Sequence, residues 1–523
     1  MKKVLLVILD GWGLSPIAEG NATFLAKTPN LDYLYKNYPK TSLSASGLSV
    51  GITPGEPGNS EVGHLNIGSG RVVWENLPRI DQAIDSGEFF QNRNLKKFAT
   101  DLKNSDGALH LIGLCSTGGI HSHLSHLYAL LEFAEKENIK NVYLHLITDG
   151  RDTAPKVALE DVVQINNHLK KLENGKIASV IGRFYAMDRD KHNERTQAAY
   201  NLWTLGKGRK FLSAEAAIKN GYLEGKDDEN LEASVIDEKG IIKPEDGLAF
   251  FNFRSDRMRQ ILSVFEDESF SGFSREKLSN LKILTMTSYQ NNQKSPEIFP
   301  PLNLSNTLPD VIETAGLSQF HTAETEKFAH VTYFFNGGDE KVHQKEKQVI
   351  VPSPRVESYD YAPEMSAKEV KNKVVEALKN DYQFILVNFA NGDMVGHTGR
   401  LPAAIKACEE VDRCLFDIMS AASGAGYVAI ITADHGNCEM MKNLRTGEID
   451  KEHTSNPVPL VFADFSKSPF LPQNGVGINK NELLQYSSQE PTGILADIAP
   501  TILAILNISN PKEMTGKDLQ DLI

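Results

Sequence analysis

Residues 384–397 read FILVNFANGDMVGH: a short β-branched and aromatic run that stops abruptly in a cluster of small and polar residues. A run of this length suits a strand buried on both faces, as in a parallel sheet. The pattern recurs along the chain. In the first and last thirds, VLLVIL (4–9) ends at Asp10-Gly11 and YVAIIT (427–432) ends in ADHGN. In the middle, LHLIGL (109–114) ends in CSTGGIHSH, VYLHLI (142–147) in TDGRD, IASVIG (177–182) in RFYAMDRD and LAFFNF (248–253) in RSDR. Helical patterns such as LSHLYALLEFAEKENI and AAIKACEEVDRCLFDIMSAA lie between them. Alternating strands and helices predict an α/β fold with mainly parallel sheets. Ligands of such sheets bind beyond the carboxyl ends of the strands, where the polar clusters fall.

The clusters sort into two chemical types by position. Outside the middle third they offer Asp and His: Asp10, Asp393, His397, Asp434, His435 and His453. Inside it Arg dominates: Arg151, Arg183, Arg189, Arg254 and Arg257, with His121, His123, Asp152, Asp188 and Asp190. The contrast predicts one domain inserted in another. Residues 1–75 plus 306–523 form the first and 80–298 the second, with linkers near 76–79 and 299–305. SPEIFPPLNLSNTLPD (295–310) reads as the return linker and WENLPRI (74–80) as the outgoing one.

At 523 residues the chain exceeds one ordinary hydrophobic core. A net charge of −13 without a long basic stripe argues against a nucleic-acid partner. The apolar runs fall far short of a bilayer span, so no membrane partner is expected. The start, MKKVLLVILDGWG, carries too few apolar residues before Asp10 for a signal peptide and reads as the first strand of a cytoplasmic protein. Cys115, Cys408, Cys414 and Cys438 show no CxxC spacing, in keeping with a reducing compartment. No coiled-coil or repeat signal appears, and a monomer is the simplest reading.

The Asp/His set suits metal chemistry. Three Asp, three His and the hydroxyl of Ser60 are about what two divalent ions need while leaving positions for substrate oxygens, and mixed N/O ligation favours Mn²⁺ or Zn²⁺ over Ca²⁺. The stretch PGNSEVGHLNIGSGR (57–71) reads as a long polar, glycine-rich loop with Ser60, Glu61 and His64 inside it. Near two metal ions a serine in such a turn would be an activated nucleophile. Ser60 is the candidate and Ser69 its local competitor.

LVILDGWG, TPGEPGNSEVGHLNIGSGR, HSHLSHLYALL, LITDGRDTAP, IGRFYAMDRDKHNERTQAAY, FFNFRSDRMRQI, NFANGDMVGHTG, TADHGNCE and HTSNPVP occur in that order over almost the whole chain. Together they resemble the cofactor-independent phosphoglycerate mutases of the alkaline phosphatase superfamily. The resemblance implies a phosphatase-like metal domain in two chain segments carrying an inserted phosphotransferase domain. It implies two Mn²⁺ ions, with Co²⁺, Zn²⁺ or Mg²⁺ as substitutes. One would be held at Asp393, His397 and His453, the other at Asp10, Ser60, Asp434 and His435. It implies a glycolytic isomerase that interconverts 3- and 2-phosphoglycerate through a phosphoserine at Ser60, without bisphosphoglycerate. The substrate set carries over to His121, Arg151, Asp152, Arg183, Arg189, Arg254 and Arg257, with Lys327 from ETEKFAH. Asp152 reads as general base for the glycerate hydroxyl, its ionised form favoured by Arg151 and Arg189.

Two rivals remain at this point. A metal-dependent phosphatase or phosphopentomutase of the same superfamily would keep the Asp/His set but lack the DGRD and FRSDR arginines of the insert. A non-catalytic metal-binding scaffold would need no nucleophile.

Overall fold

A computed structural model describes residues 2–170, 175–472 and 476–521. The chain divides into two compact units, Met1–Glu75 with Asn303–Ile523, and Asn76–Leu302. Each contains one eight-stranded sheet among the described residues.

In the first unit the strands run, edge to edge, Glu346–Val351, Gln319–Glu324, Phe384–Phe389, Lys3–Leu9, Tyr427–Thr432, Val458–Asp464, Lys40–Ser44 and Gly493–Ile494. The first five are parallel. Val458–Asp464 runs antiparallel to both its neighbours. Val4 to Ile8 are fully buried, and so are Phe384 to Val387, the burial of strands covered on both faces of a parallel sheet. In the second unit the order is Glu297–Phe299, Lys282–Thr287, Gly247–Phe250, Leu109–Cys115, Val142–Thr148, Gly175–Gly182, Ser234–Val235 and Arg209–Lys210. All pairs are parallel except Gly175–Gly182 with Ser234–Val235. Two separate apolar clusters pack against this sheet. The expected α/β class with mainly parallel sheets is thus observed.

Polar residues inside this second sheet are paired across it. His110 Nε2 meets Asp246 Oδ2 at 3.1 Å, His110 Nδ1 meets His145 Nε2 at 2.9 Å, and His145 Nδ1 meets Ser179 Oγ at 2.8 Å. Burial drives the His145 pKa well below 6.5, with His110 adding to the effect. A slip in strand register would orphan these groups, so the chain of contacts helps to specify the pairing.

One expectation about local structure fails for a physical reason. The segment 57–71 is not a loop throughout, because Ser60–Ser69 is an α-helix whose N-cap, Asn59, accepts the Val62 N–H at 2.9 Å. The glycines that suggest a loop serve close packing instead. A Cβ at Gly63 would lie 2.6 Å from the Asp434 carbonyl oxygen, and one at Gly68 2.1 Å from that of Phe335. Residues 76–79 begin the helix Asn76–Asp85, with Pro78 tolerated in its first turn, and Phe299 closes the edge strand Glu297–Phe299.

Candidate active site

In the first unit, Gln319–Glu324, Phe384–Phe389, Lys3–Leu9 and Tyr427–Thr432 are adjacent and parallel, so their carboxyl ends share one edge. The residues that follow carry, in that order, Lys327, Asp393 with His397, Asp10, and Asp434 with His435. The helix Asn391–Gly396 puts Asp393 and His397 on one face at i, i+4 spacing. Gly11 (φ +71°) makes the turn after the Asp10 strand, where a Cβ would lie 2.7 Å from the Asp393 backbone. A bridge between Gly436 and Thr454 returns His453 to the group.

The Ser60 hydroxyl sits among these groups. Lys327 Nζ donates to Ser60 Oγ at 2.6 Å, His435 Nε2 lies 2.9 Å away, and Oγ donates to Asp10 Oδ1 at 3.2 Å. Lys327 also reaches Asp10 Oδ1 at 2.7 Å and Asp393 Oδ2 at 2.6 Å. Burial alone would discharge this ammonium, but Asp10, Asp393 and Asp434 outweigh it and hold its pKa above the ordinary lysine value. Burial likewise opposes the charge of Asp10 and Asp393, yet Lys327 and the nearby imidazoles keep both well below the usual carboxylate range. His435 is pushed up to about 10, because Asp434, Asp10 and Asp393 overcome its desolvation. Ser69, the local competitor, lies on the same helix but turns away, its hydroxyl donating to the Arg71 carbonyl.

The donor set fits divalent metal. His397 Nδ1 donates to the Lys451 carbonyl and His453 Nδ1 to that of Gly58, which in the neutral rings leaves both Nε2 lone pairs free. Those Nε2 atoms face each other at 3.0 Å, and each is 3.1 Å from Asp393 Oδ1. Converging lone pairs of this kind repel unless a cation lies among them. Asp10, Asp434 and His435 form a second convergent group, and Asp434 Oδ2 is buried without a hydrogen-bond partner. His435 Nε2 also comes within 3.9 Å of Asp393 Oδ1, so the two groups adjoin. A third acidic group, Asp188, Asp190 and His192, differs. Asp188 already accepts the backbone N–H of Asp190 and of His192 and faces the His192 ring and Arg195.

Several supporting residues escape a reading of strand-end clusters. Asn388, inside its strand, donates from Nδ2 to Asp10 Oδ2 at 2.7 Å and to His64 Nε2 at 3.0 Å, while His64 Nδ1 donates to the Ser60 carbonyl at 2.9 Å. The visible signal is an Asn interrupting FILVNF. Asn437 donates to Asp393 Oδ1 at 3.0 Å. Buried Glu439 accepts from the N–H groups of Gly13 and Asn437 and from the side chains of Thr454 and Asn456, tying the loop of Asp434 and His435 to that of His453.

In the second unit the arginine-rich clusters likewise follow adjacent parallel strands. Buried Arg183 directs Nη1 to Asp149 Oδ1 at 2.5 Å and to Asp152 Oδ2 at 2.8 Å. The arginine in ion-pair contact with Asp152 is Arg183, in addition to the expected Arg151 and Arg189. Arg151 faces Glu229 at 3.6 Å, and Arg189 pairs with Asp256 at 2.6 Å. Arg254 Nε lies 3.1 Å from Asp256, and Arg257 donates to the Met187 carbonyl at 3.1 Å. His121 is buried, and desolvation followed by Arg183 lowers its pKa to about 4, so the ring is neutral at pH 7. Asp149, which accepts the Ser116 hydroxyl and the N–H groups of Arg151 and Asp152, and Asp256 are both absent from the sequence-based site.

The four cysteines are buried and unbridged. Among the described residues no helix is long and apolar enough to cross a membrane.

Residues 80–291 match the family model for the BPG-independent PGAM N-terminus. The chain is 47% identical over 524 residues to a 2,3-bisphosphoglycerate-independent phosphoglycerate mutase of Clostridium novyi, covering 99% of each chain. It is 45% identical over 525 residues to one from Methanosarcina barkeri, covering 99% of this chain and 98% of that protein. Among solved structures, the phosphoglycerate mutase of Leishmania mexicana at low cobalt concentration aligns with a TM-score of 0.52 and 31% identity over 99% of this chain and 97% of that one.

Proposed function

The chain belongs to the 2,3-bisphosphoglycerate-independent phosphoglycerate mutases, isomerases that interconvert 3- and 2-phosphoglycerate, and from this premise we propose that Ser60 carries the phosphoryl group between the two positions. The observation that supports it is the meeting of Lys327, His435 and Asp10 on the Ser60 hydroxyl.

Family membership implies divalent metal, and Mn²⁺ is the proposed ion. Asp393, His397 and His453 would hold one ion and Asp10, Ser60, Asp434 and His435 the other, supplying positive charge that favours the serine alkoxide and stabilises phosphoryl oxygens. In the first half-reaction Ser60 Oγ forms a bond to phosphorus as the bond to the substrate's 3-oxygen breaks. Lys327 donates to the phosphoryl oxygens throughout, its charge secured by the carboxylates around it. The departing 3-oxygen takes up the proton that the Ser60 hydroxyl gives up. In the second half the glycerate 2-hydroxyl gives its proton to Asp152 and attacks phosphorus; Ser60 Oγ is released and takes up a proton as Asp152 loses the one it gained, so the cycle is proton-neutral. His121, Arg151, Arg183, Arg189, Arg254 and Arg257 hold the glycerate, since guanidinium groups match a carboxylate with paired hydrogen bonds. Arg183 is locked on Asp149 and Asp152 and acts mainly by placing the proposed base. A cytoplasmic location, supported by four unbridged thiols, and a monomeric state complete the reading.

The test is turnover of 3-phosphoglycerate by the Mn²⁺-loaded protein with no bisphosphoglycerate, reading 2-phosphoglycerate and inorganic phosphate separately. The expected result is 2-phosphoglycerate with little phosphate. Phosphate and glycerate as main products would make the chain a phosphatase and remove the role given to the arginines.

A further inference from the structure

Five arginines crowd the second unit's cluster, and like charges on long flexible side chains disperse unless something holds them. The crowding shows in Arg257, whose pKa is lowered first by burial and then by Arg189, Arg183 and Arg151. Arg183 has its own holder in Asp149 and Asp152, and its side chain is only 2% exposed. Arg189 and Arg254 are different: their side chains are 45% and 51% exposed, and both converge on one half-buried carboxylate, Asp256.

The geometry is that of a splint. Asp256 Oδ2 takes Arg189 Nη1 at 2.6 Å, and Oδ1 faces Arg254 Nε at 3.1 Å and His121 Nδ1 at 3.7 Å. Arg189 spends a single nitrogen in a hydrogen bond to Asp256, whereas Arg254 Nε faces Oδ1 as an ion pair without a hydrogen bond. The remaining N–H groups of both guanidiniums have no protein acceptor among the described residues, and a planar guanidinium with one edge fixed presents the other to a ligand. Burial opposes the charge of Asp256, but the hydrogen bond from Arg189 and the charge of Arg254 hold its pKa below the ordinary value.

We propose that Asp256 is a positioning residue for the phosphoglycerate anion, fixing Arg189 and Arg254 with their outer N–H edges presented while not itself touching substrate. The inference rests on the reading of those arginines as substrate-binding. It differs from the alternative in which Asp256 competes with substrate for the same N–H groups, because a competitor would weaken binding when present and a splint strengthens it.

The two are separated by kinetics of the full chain with 3-phosphoglycerate, comparing D256N, D256E, R189A, R254A and the double variant D256N/R189A. Asn keeps the shape but not the charge, so D256N is expected to raise KM about tenfold, the loss of roughly one charge-assisted hydrogen bond, with kcat within about twofold. D256E restores the charge and is expected to lie closer to the parent in KM. In the double variant D256N is expected to add less than about twofold to the effect of R189A, since the group it positions has gone. An unchanged or lowered KM in D256N, equal KM in D256N and D256E, or full additivity with R189A would overturn the role. R189A and R254A separate this failure from a wider one: if they raise KM while D256N does not, the splint alone is wrong; if they too leave KM unchanged, the reading of the arginine cluster falls with it. Thermal unfolding of each variant guards against a folding defect, and D256E, with the charge retained, carries the comparison should D256N prove unstable.

Discussion

Replacing Ser60 by Ala is expected to lower kcat by about 10⁴-fold or more with little change in thermal stability. The size of the effect follows from the chemistry: without an acceptor oxygen the phosphoryl group has nowhere to wait while the glycerate presents its other hydroxyl, and a factor of 10⁴ corresponds to about 5.5 kcal/mol of transition-state stabilisation. No neighbour takes over, because the Ser69 hydroxyl is turned to the Arg71 carbonyl. Stability is spared because Asn59, not Ser60, caps the helix Ser60–Ser69, and Lys327 keeps its contacts with Asp10 and Asp393. Unfolding within about 1 kcal/mol of the parent is the expectation for such a substitution. Retention of more than about one per cent of turnover in S60A would remove Ser60 from the reaction.

Removing metal is expected to abolish turnover to a similar degree and, unlike S60A, to lower stability. Asp10, Asp393 and Asp434 are 0%, 3% and 0% exposed and crowd around a single lysine. Stripping cations from such a set leaves carboxylates and imidazole lone pairs facing one another. An ion that binds only the folded chain stabilises it by about 2.7 kcal/mol when present at a hundredfold excess over its Kd. Chelation followed by thermal unfolding and by turnover, each repeated after adding back Mn²⁺ or Co²⁺, measures both effects. Mild acid is expected to mimic chelation, because protons compete with the metal for imidazole ligands. Full turnover and an unshifted melting temperature after chelation would contradict the assigned ligand sets.

Much of this site is legible in the sequence because a parallel sheet puts its chemistry directly after its apolar strands. Asp10, Asp393, His397, Asp434 and His435 each follow a buried run within a few residues, and the structure brings them to one edge with Lys327. His453 has no such strand before it and is delivered by a bridge between loops, so the residues place it less directly than the family resemblance does. Residues that act through others are harder to see. Asn388 looks like a blemish in a strand, and His64 is one polar residue among glycines. Asp149 and Asp256 stand beside arginines that draw attention first, although these carboxylates give the arginines their geometry. The helix Ser60–Ser69 reads as a loop because a glycine inside a helix costs about 1 kcal/mol on propensity alone, a penalty here outweighed by close packing against Asp434 and Phe335. Short polar strands such as Lys40–Ser44 and Arg209–Lys210 have no apolar run to betray them and exist through their neighbours.

The central claim is that the phosphoryl group rests on Ser60 during every turnover. The most direct test is acid quenching of the Mn²⁺-loaded protein during steady-state conversion of 3-phosphoglycerate, followed by digestion and mass spectrometry of the peptide containing residues 57–71. A phosphorylated peptide with the modification at Ser60, present under turnover and absent without substrate, is the predicted result. Turnover at full rate with no phosphorylated peptide, or with the phosphate on Ser69, would contradict it.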